Sequence, residues 1–490
     1  MISVLLLILP LLTALISLMG PKQSAAKLAA VLSLGSLGLS IFAYCDFLTN
    51  GATHFTCSLA WIKNPAINIQ FTMDGIALLL ILMTNICIPF IHLSADKRNI
   101  DRQNIFHFLI GLIQMALIGV FIADDLLLYY VFWELTIIPA YFMLIYWGGR
   151  NKRKITFKFF LYTVFGSLLM MVAILYMYAN HADGSSINTV SIFNLNIELE
   201  KQYWIFAGFM MAFAVKLPLI PFHTWQANTY HMAPSQGTMI LSGLLAKMAL
   251  FSIVRWMMPC TPGAVTEWGP FILMCAVGGV IYAGVVAILQ KDMKKLFAYV
   301  SLAHISLMVA GIFSMSRSGI QGAFIQAFSH GFNTVALFIC AAIIQDRTGT
   351  TELSKLGGIR QQAPKFVTAF FIIMFATAAI PFSNSFIGEV VTLYGVFQYS
   401  AIWALLAALS LVLGAIFMLR MFRQAVLGPD TKNTAHFKDL CGGEMVSIYP
   451  FVILIFVFGL VYQPLFDLVS GPANHIIEHI YKAGITPVKF

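Results

Sequence analysis

Apolar runs long enough to cross a bilayer, cut by short polar segments, recur along almost the whole chain of 490 residues. A hydrocarbon core about 30 Å thick takes roughly 20 apolar residues in a helix rising about 1.5 Å per residue. Windows of that kind number about fourteen, at residues 2–20, 26–45, 73–93, 105–123, 125–146, 155–179, 203–230, 234–258, 269–289, 295–315, 320–344, 366–399, 401–427 and 447–470. No water reaches the bilayer core, so backbone groups there must bond within their own segment, and each run reads as a helix. The pattern predicts an all-α polytopic membrane protein of about 14 transmembrane helices, with little chain left for a soluble domain.

Two runs are too long for one span and hold prolines, Pro218 and Pro221 in the seventh and Pro381 in the twelfth. Proline removes a backbone donor and clashes one turn back, so both runs are expected to be broken helices lining a polar interior. Each break reads Ile-Pro-Phe, at 220–222 and 380–382. The breaks fall five spans apart, the spacing that two inverted five-helix repeats (spans 4–8 and 9–13) would produce, since an odd helix count flips the second copy. On this reading residues 1–104 hold helices 1–3, 105–258 the first repeat, 269–427 the second, and 447–490 a last helix and tail.

Charge changes the picture in one respect. The chain has 29 Lys plus Arg against 20 Asp plus Glu, a formal net charge of +9. The cations are dispersed among short loops without interleaved aromatics, so no nucleic-acid partner is expected. The positive-inside rule accounts for them better. With the N-terminus outside, Lys22/Lys27, Lys97/Arg98/Arg102, Arg150 to Lys158, Lys291/Lys294/Lys295, Arg347 to Lys365 and Arg420 to Lys438 share the inner side. The outer loops keep only Lys63, Lys201, Arg255, Arg317, Lys482 and Lys489. The first run has no basic stretch before it, so it reads as a retained helix rather than a cleaved signal.

Seven cysteines (Cys45, Cys57, Cys87, Cys260, Cys275, Cys340 and Cys441) lie too far apart for an iron–sulfur, haem or zinc spacing. With no glycine-rich nucleotide loop and no nucleophile elbow, the chain is expected to carry no metal or redox cofactor of its own.

Candidate chemistry lies instead in ionisable groups deep inside the runs: Glu134, Lys216, Lys247 and Glu389, with His304 and His330 beside them. Each intramembrane charge costs on the order of 2.5–3.5 kcal/mol on insertion scales, so four cost about 10 kcal/mol unless paired or hydrated, an expense that marks an ion path. Bland readings exist for each. Glu134 could be a structural partner for a cation on another helix, and Lys216 could snorkel to an interface. Lys247 is more than a turn from either end of its run, which makes snorkelling hard. Glu389 follows the Pro381 break and could cap a half-helix N-terminus. His304 and His330 could be hydrogen-bonded core histidines, but two imidazoles on adjacent helices also suit a proton wire. His223 and His231, beside the first break, are weaker candidates of the same kind.

The strongest motifs are Phe-Trp-Glu-Leu-Thr at 132–136, Lys-Leu-Pro-Leu-Ile-Pro-Phe-His-Thr-Trp at 216–225, Ala-Pro at 233–234 running to Leu-Ala-Lys-Met at 245–248, Asp-Met-Lys-Lys-Leu-Phe-Ala-Tyr at 292–299, Ser-His-Gly at 329–331, Gln-Asp-Arg at 345–347 and Gly-Glu at 388–389. With them the chain resembles, over at least residues 70–430, the family uniting the antiporter-like subunits of respiratory complex I with Mrp-type cation/proton antiporters. The resemblance implies that Glu134 pairs with Lys216 on the broken seventh helix, and that Lys247 links through the histidines to Glu389 on the broken twelfth. Glutamate at the place of Glu389 marks the M type of complex I subunit, lysine the L and N types. It implies proton translocation driven by NADH oxidation and quinone reduction elsewhere. FMN, iron–sulfur clusters and quinone would belong to partner subunits, L- and N-type neighbours and lipids to the surroundings. The place would be a bacterial inner (plasma) membrane, both termini periplasmic. An Mrp-type Na+/H+ antiporter subunit, a subunit of a membrane-bound hydrogenase or formate hydrogenlyase, and a proton-coupled solute symporter are the rivals. Two departures stand out: Gln226-Ala227-Asn228-Thr229-Tyr230 replaces a family segment Leu-Pro-Asp-Ala-His, and Pro381-Phe382 replaces Pro-Gly.

Overall fold

The computed structural model describes residues 2–21, 24–51, 55–63, 66–96, 100–180, 186–195 and 197–482. Lys22, Lys97, Arg98, Lys489 and the tail from 483 lie outside the described residues. The chain is a polytopic membrane protein built almost wholly of helices. In order they are α1 (Ile2–Met19), α2 (Ala25–Asn50), α3 (Gly75–Leu93), α4 (Gln103–Ile122), α5 (Leu126–Trp147), α6 (Lys152–Ala179), α7 (Leu199–Lys216) and α8 (Gln226–Met232). Then follow α9 (Ser235–Cys260), α10 (Pro262–Leu289), α11 (Met293–Phe313), α12 (Arg317–Thr348), α13 (Pro364–Thr377), α14 (Asn384–Tyr399), α15 (Ala401–Leu427), α16 (Gly442–Leu460) and α17 (Gln463–Lys482). Twelve described helices are long and apolar enough to cross a membrane; α7, α8, α13, α14 and α17 are not among them.

The seventh expected run therefore folds as α7, turns at 217–225 and a short α8, and the twelfth as α13 and α14 around residues 378–383. Pro381 removes the donor at the second interruption. Phe382, where the family pattern has glycine, sits at φ 70°, a left-handed conformation that a side chain enters only at a cost.

Two features differ from the sequence expectation. A two-stranded antiparallel hairpin, β1 (Cys57–Lys63) and β2 (Ala66–Phe71), occupies a stretch between spans. The last expected span ends at Leu460, and the residues to 470 open the separate helix α17. Leu465, Leu468, Val469, Ala473, Ile476, Ile477 and Ile480 of α17 are buried at helical spacing while Tyr481 is exposed, so it is amphipathic rather than apolar all round.

The helices form two compact units. The first holds Met1–Pro218, Leu245–Phe271 and Asp467–Lys489, with α1 against α4, α2 against α3 and α6 against α7 as its main pairings. Helix α17 meets α3 where Gly75 lies against the Leu468 carbonyl, a contact that admits no Cβ. The second holds Leu219–Leu244 and Ile272–Phe466, and its tightest pairing is α12 against α14. Glycines make that approach possible: a Cβ on Gly322 would overlap the Thr392 backbone, and one on Gly395 the Gly319 backbone.

Candidate functional site

In the first unit, α5 carries Glu134 and α7 ends on Lys216. Asp125 starts α5, accepting from Leu127 N at 2.9 Å and Leu128 N at 3.0 Å. The hydroxyls of Tyr178 and Ser186 and the backbone N–H of Asn68 donate to its other oxygen, which ties α5 to β2. Glu134 is half-buried, with one carboxylate oxygen enclosed and Val131 and Ile138 exposed on the same stripe of α5. Lys216 is 6 % exposed. Its ammonium donates to Thr136 Oγ1 at 3.4 Å, lies 5.5 Å from the Trp133 ring centroid, and feels the Glu134 carboxylate electrostatically. As the last residue of α7 it also faces the negative end of that helix's dipole.

Lys247 is fully buried on α9, its charge acting on Cys87 of α3. Thr136, which receives the Lys216 ammonium, also contacts the Sδ of Met248 at 3.9 Å, next to Lys247 in sequence. The α-helical turn that carries Lys247 is flanked by π-helical segments at Met239–Leu245 and Ile253–Met257, a distortion frequent at functional sites.

In the second unit, His304, His330 and Glu389 meet. Glu389 is 1 % exposed and lies past the first turn of α14, where the helix dipole has faded, so side chains rather than the half-helix terminus hold it. His304 Nδ1 stands 2.8 Å from Glu389 Oε1, and the Gln326 amide donates to the same oxygen at 3.0 Å. The His304 and His330 rings pack edge to face with centroids 5.5 Å apart, and Thr334 reaches His330. Polar groups continue along α12: Asn333 donates to Ser385 Oγ at 2.8 Å and to Asn384 Oδ1 at 3.1 Å, and Ser329 donates to the Asn384 carbonyl at 2.8 Å. Gln326 and Asn333 were not among the sequence candidates. As neutral amides inside apolar windows they carry no hydropathy signal, although Gln326, Ser329 and Asn333 recur at helical spacing.

His223 bonds with the Tyr282 hydroxyl at 3.2 Å, and His231 with Asp292 at 3.0 Å near a loop. Among the described residues no three His, Cys, Asp or Glu side chains are grouped to hold a metal ion. The first unit thus offers two buried amines, and the second a histidine hydrogen-bonded to a buried carboxylate, side chains able to hold and release protons.

Residues 123–414 match the family described as NADH:quinone oxidoreductase/Mrp antiporter, transmembrane. NADH-quinone oxidoreductase subunit M of Rickettsia conorii is 34 % identical over 460 residues, covering 92 % of this chain and 91 % of the relative. A chain in the structure of respiratory complex I from Thermus thermophilus with bound NADH superposes with TM-score 0.89 at 27 % identity, covering 97 % of this chain and 100 % of that one. A chain of the Mrp complex from Dietzia shares the fold at TM-score 0.84 and 17 % identity, over 98 % of both chains. The chain belongs to the NADH:quinone oxidoreductase/Mrp antiporter transmembrane family.

Proposed function

We propose that this chain is the M-type, antiporter-like subunit of a bacterial NADH:quinone oxidoreductase and moves protons when a neighbouring redox module shifts its charge state. The observation that carries this reading is the enclosure of Lys216, Lys247, His304, His330 and Glu389, each less than 8 % exposed within apolar helices. Stranded acids and bases of this kind persist in membranes where they serve an ion path. Glutamate rather than lysine at 389, hydrogen-bonded by His304 and Gln326, supports the M type.

Energy arrives laterally. Glu134 stands half-open on a stripe of α5 with exposed apolar neighbours, where an adjoining subunit's charge can reach it. Attraction between unit charges about 4 Å apart is about 4 kcal/mol at an effective dielectric near 20. That corresponds to about a thousandfold change in proton affinity. Moving Glu134 into or out of partnership therefore gates proton exchange at Lys216; Lys247 and the His304–Glu389 group carry the proton onward. NADH oxidation, quinone reduction, FMN and iron–sulfur clusters belong to partner subunits, with L- and N-type subunits on the flanks. The inner-membrane location, the periplasmic termini, the count of fourteen spans and the inverted repeats of 105–258 and 269–427 are parts of the same reading; the two interruptions at Ile-Pro-Phe support the repeats.

Lys216→Ala and Glu134→Ala in the assembled enzyme are expected to abolish coupled pumping and to leave NADH oxidation by an artificial acceptor intact. Full pumping in either variant overturns the assignment. Sodium exchange is less well served by this site, because a hard cation prefers an oxygen cage and the enclosed groups are mostly nitrogen bases. Labelled-sodium uptake by vesicles holding the complex, driven by NADH, would favour the antiporter alternative.

A further inference from the structure

A second set of enclosed titratable groups lies in the first unit, on helices that carry none of Glu134, Lys216, Lys247, His304, His330 and Glu389. His92, in the last turn of α3, and His107, early in α4, are both fully buried, with Nδ1 atoms 2.7 Å apart and ring centroids 5.0 Å apart. A contact that short between two imidazole nitrogens requires one proton on the line joining them: one ring donates Nδ1–H and the other accepts. The Nε2 atoms of both rings are buried and, among the described residues, have no hydrogen-bond partner.

The pair is not isolated. Seven residues, or two helical turns of about 10 Å, before His92 stands Asn85, and seven after His107 stands Gln114, so both repeat on the same faces of α3 and α4. Gln114 donates to Asn85 Oδ1 at 2.8 Å, and Asn85 donates to the Ser36 carbonyl of α2 at 3.2 Å. Gln114 Oε1 and Ser36 Oγ are buried and, like the Nε2 atoms, without a protein partner among the described residues. An unmet buried polar atom costs about 1–3 kcal/mol, so four in one seam point to water running between the helices as their common partner.

We propose that His92 and His107 form a proton-holding dyad at one end of a hydrated seam among α2, α3 and α4. The proposal rests on the proton-moving function above. The balance is simple. A proton arriving at the bare Nε2 of the donor ring makes an imidazolium whose charge is shared through the Nδ1–H···Nδ1 bond. The bridging proton can pass to the second ring, whose Nε2–H then leaves to water. One proton enters and one leaves, and the dyad ends with its polarity reversed. It must reset before passing another in the same direction, so it serves as a store exchanging with the seam rather than a continuous wire.

The surroundings leave the dyad free to do this. Helix α1 brings no titratable side chain. Lys27 of α2 pairs with Asp96 beyond the end of α3 at 3.7 Å, and Arg102 precedes α4. From α5 comes Trp147, which donates to the Asp101 carbonyl and packs on Phe106, itself edge-on to His107. Glu134 lies more than three turns back along α5, and the charge of Lys247 on α9 acts on Cys87. Among the described residues no carboxylate forms an ion pair with either ring, so the charge the dyad takes is a proton.

The test uses the whole complex in inverted vesicles, with NADH-driven pumping followed from acid to alkaline pH. His92→Phe/His107→Phe, which replaces both partners with rings of similar shape, is expected to lower protons pumped per electron below the wild-type ratio and to flatten the pH profile. His107→Gln, which keeps a polar side chain but cannot titrate, should do the same, and serves if the double variant fails to assemble. Solid-state NMR of the 15N-histidine-labelled wild-type complex should show one protonated and one bare Nδ1 in contact, lost in His107→Gln. Pumping with the wild-type ratio and pH profile in an assembled variant overturns the dyad. Lys216→Ala run alongside separates the two readings: if it fails to pump while the histidine variants pump normally, only the dyad falls.

Discussion

The tightest structural constraint on Glu389 comes from its neighbour. Gly388 of α14 faces α12 so closely that a Cβ there would lie 2.6 Å from the Gln326 backbone nitrogen and 2.7 Å from its Cα. Both are backbone atoms of a helix and cannot turn aside. To reach an ordinary contact of 3.4 Å the helices must part by about 0.8 Å. The Gln326 to Glu389 bond, 3.0 Å now, then stretches beyond the range of a hydrogen bond. Losing one hydrogen bond to a charged group costs about 1.5–3 kcal/mol, and overpacking adds about 1–3 kcal/mol. Gly388→Ala is therefore expected to cut protons pumped per electron about tenfold, since about 1.4 kcal/mol is a factor of ten. It should also shorten the half-life of the complex at elevated temperature. The assay is NADH-driven acidification of inverted vesicles, normalised to quinone reduction, with artificial-acceptor NADH oxidation as the assembly control. Gly278→Ala on α10 is the internal reference, because an added Cβ there meets nothing within 4 Å. If Gly388→Ala behaves like Gly278→Ala, the close approach of α12 and α14 does not set the Glu389 geometry and the reasoning fails.

Further outcomes follow from local structure. Phe382 holds φ 70° and the residue is 70 % exposed, so Phe382→Gly should relieve about 1–2 kcal/mol of backbone strain and raise thermal stability by a small margin while leaving pumping unchanged; a loss of stability on that substitution would mean the ring itself is needed. Asp292, which starts α11, is pushed up by burial, but the His231 ring, the Thr351 hydroxyl and the Lys295 backbone N–H outweigh that and hold its carboxyl below the usual value. A depressed native pKa gives stability that is present above the unfolded carboxylate value of about 3.9 and lost as pH falls through the native one. Asp292→Asn should thus destabilise at neutral pH, with the gap to wild type closing only in acid; a gap independent of pH would show that the charge is not what matters. Arg255 pairs with Asp74 at 2.6 Å, both largely enclosed, so Arg255→Ala should cost about 3–5 kcal/mol of stability by leaving the carboxylate that caps α3 unpaired, whereas an unchanged melting profile would place that pair in water.

Much of this was legible from residues alone, for identifiable reasons. A charge in oil is expensive, so Glu134, Lys216, Lys247 and Glu389 stood out from apolar windows without any coordinates. Prolines announced the interruptions near 218 and 381. Neutral polar groups gave no such signal: Gln326, enclosed and bonded to Glu389, reads as an ordinary interruption of a hydrophobic run. His92 and His107 lie near the ends of their helices, where a histidine looks interfacial, and only the packing of α3 on α4 brings them together. The β-hairpin was missed because Cys57–Lys63 lacks a two-residue alternation, six of its seven residues being exposed. Helix α17 was cut short because its polar face, with His475, Glu478 and His479, ended the apolar window.

Buried titratable side chains in this chain pass protons. That is tested most directly by replacing Lys247, fully enclosed on α9, with methionine of similar length, and counting protons per electron in liposomes holding the purified complex. Pumping should be lost while NADH oxidation by an artificial acceptor persists; an unchanged proton-to-electron ratio would show that Lys247 carries no proton.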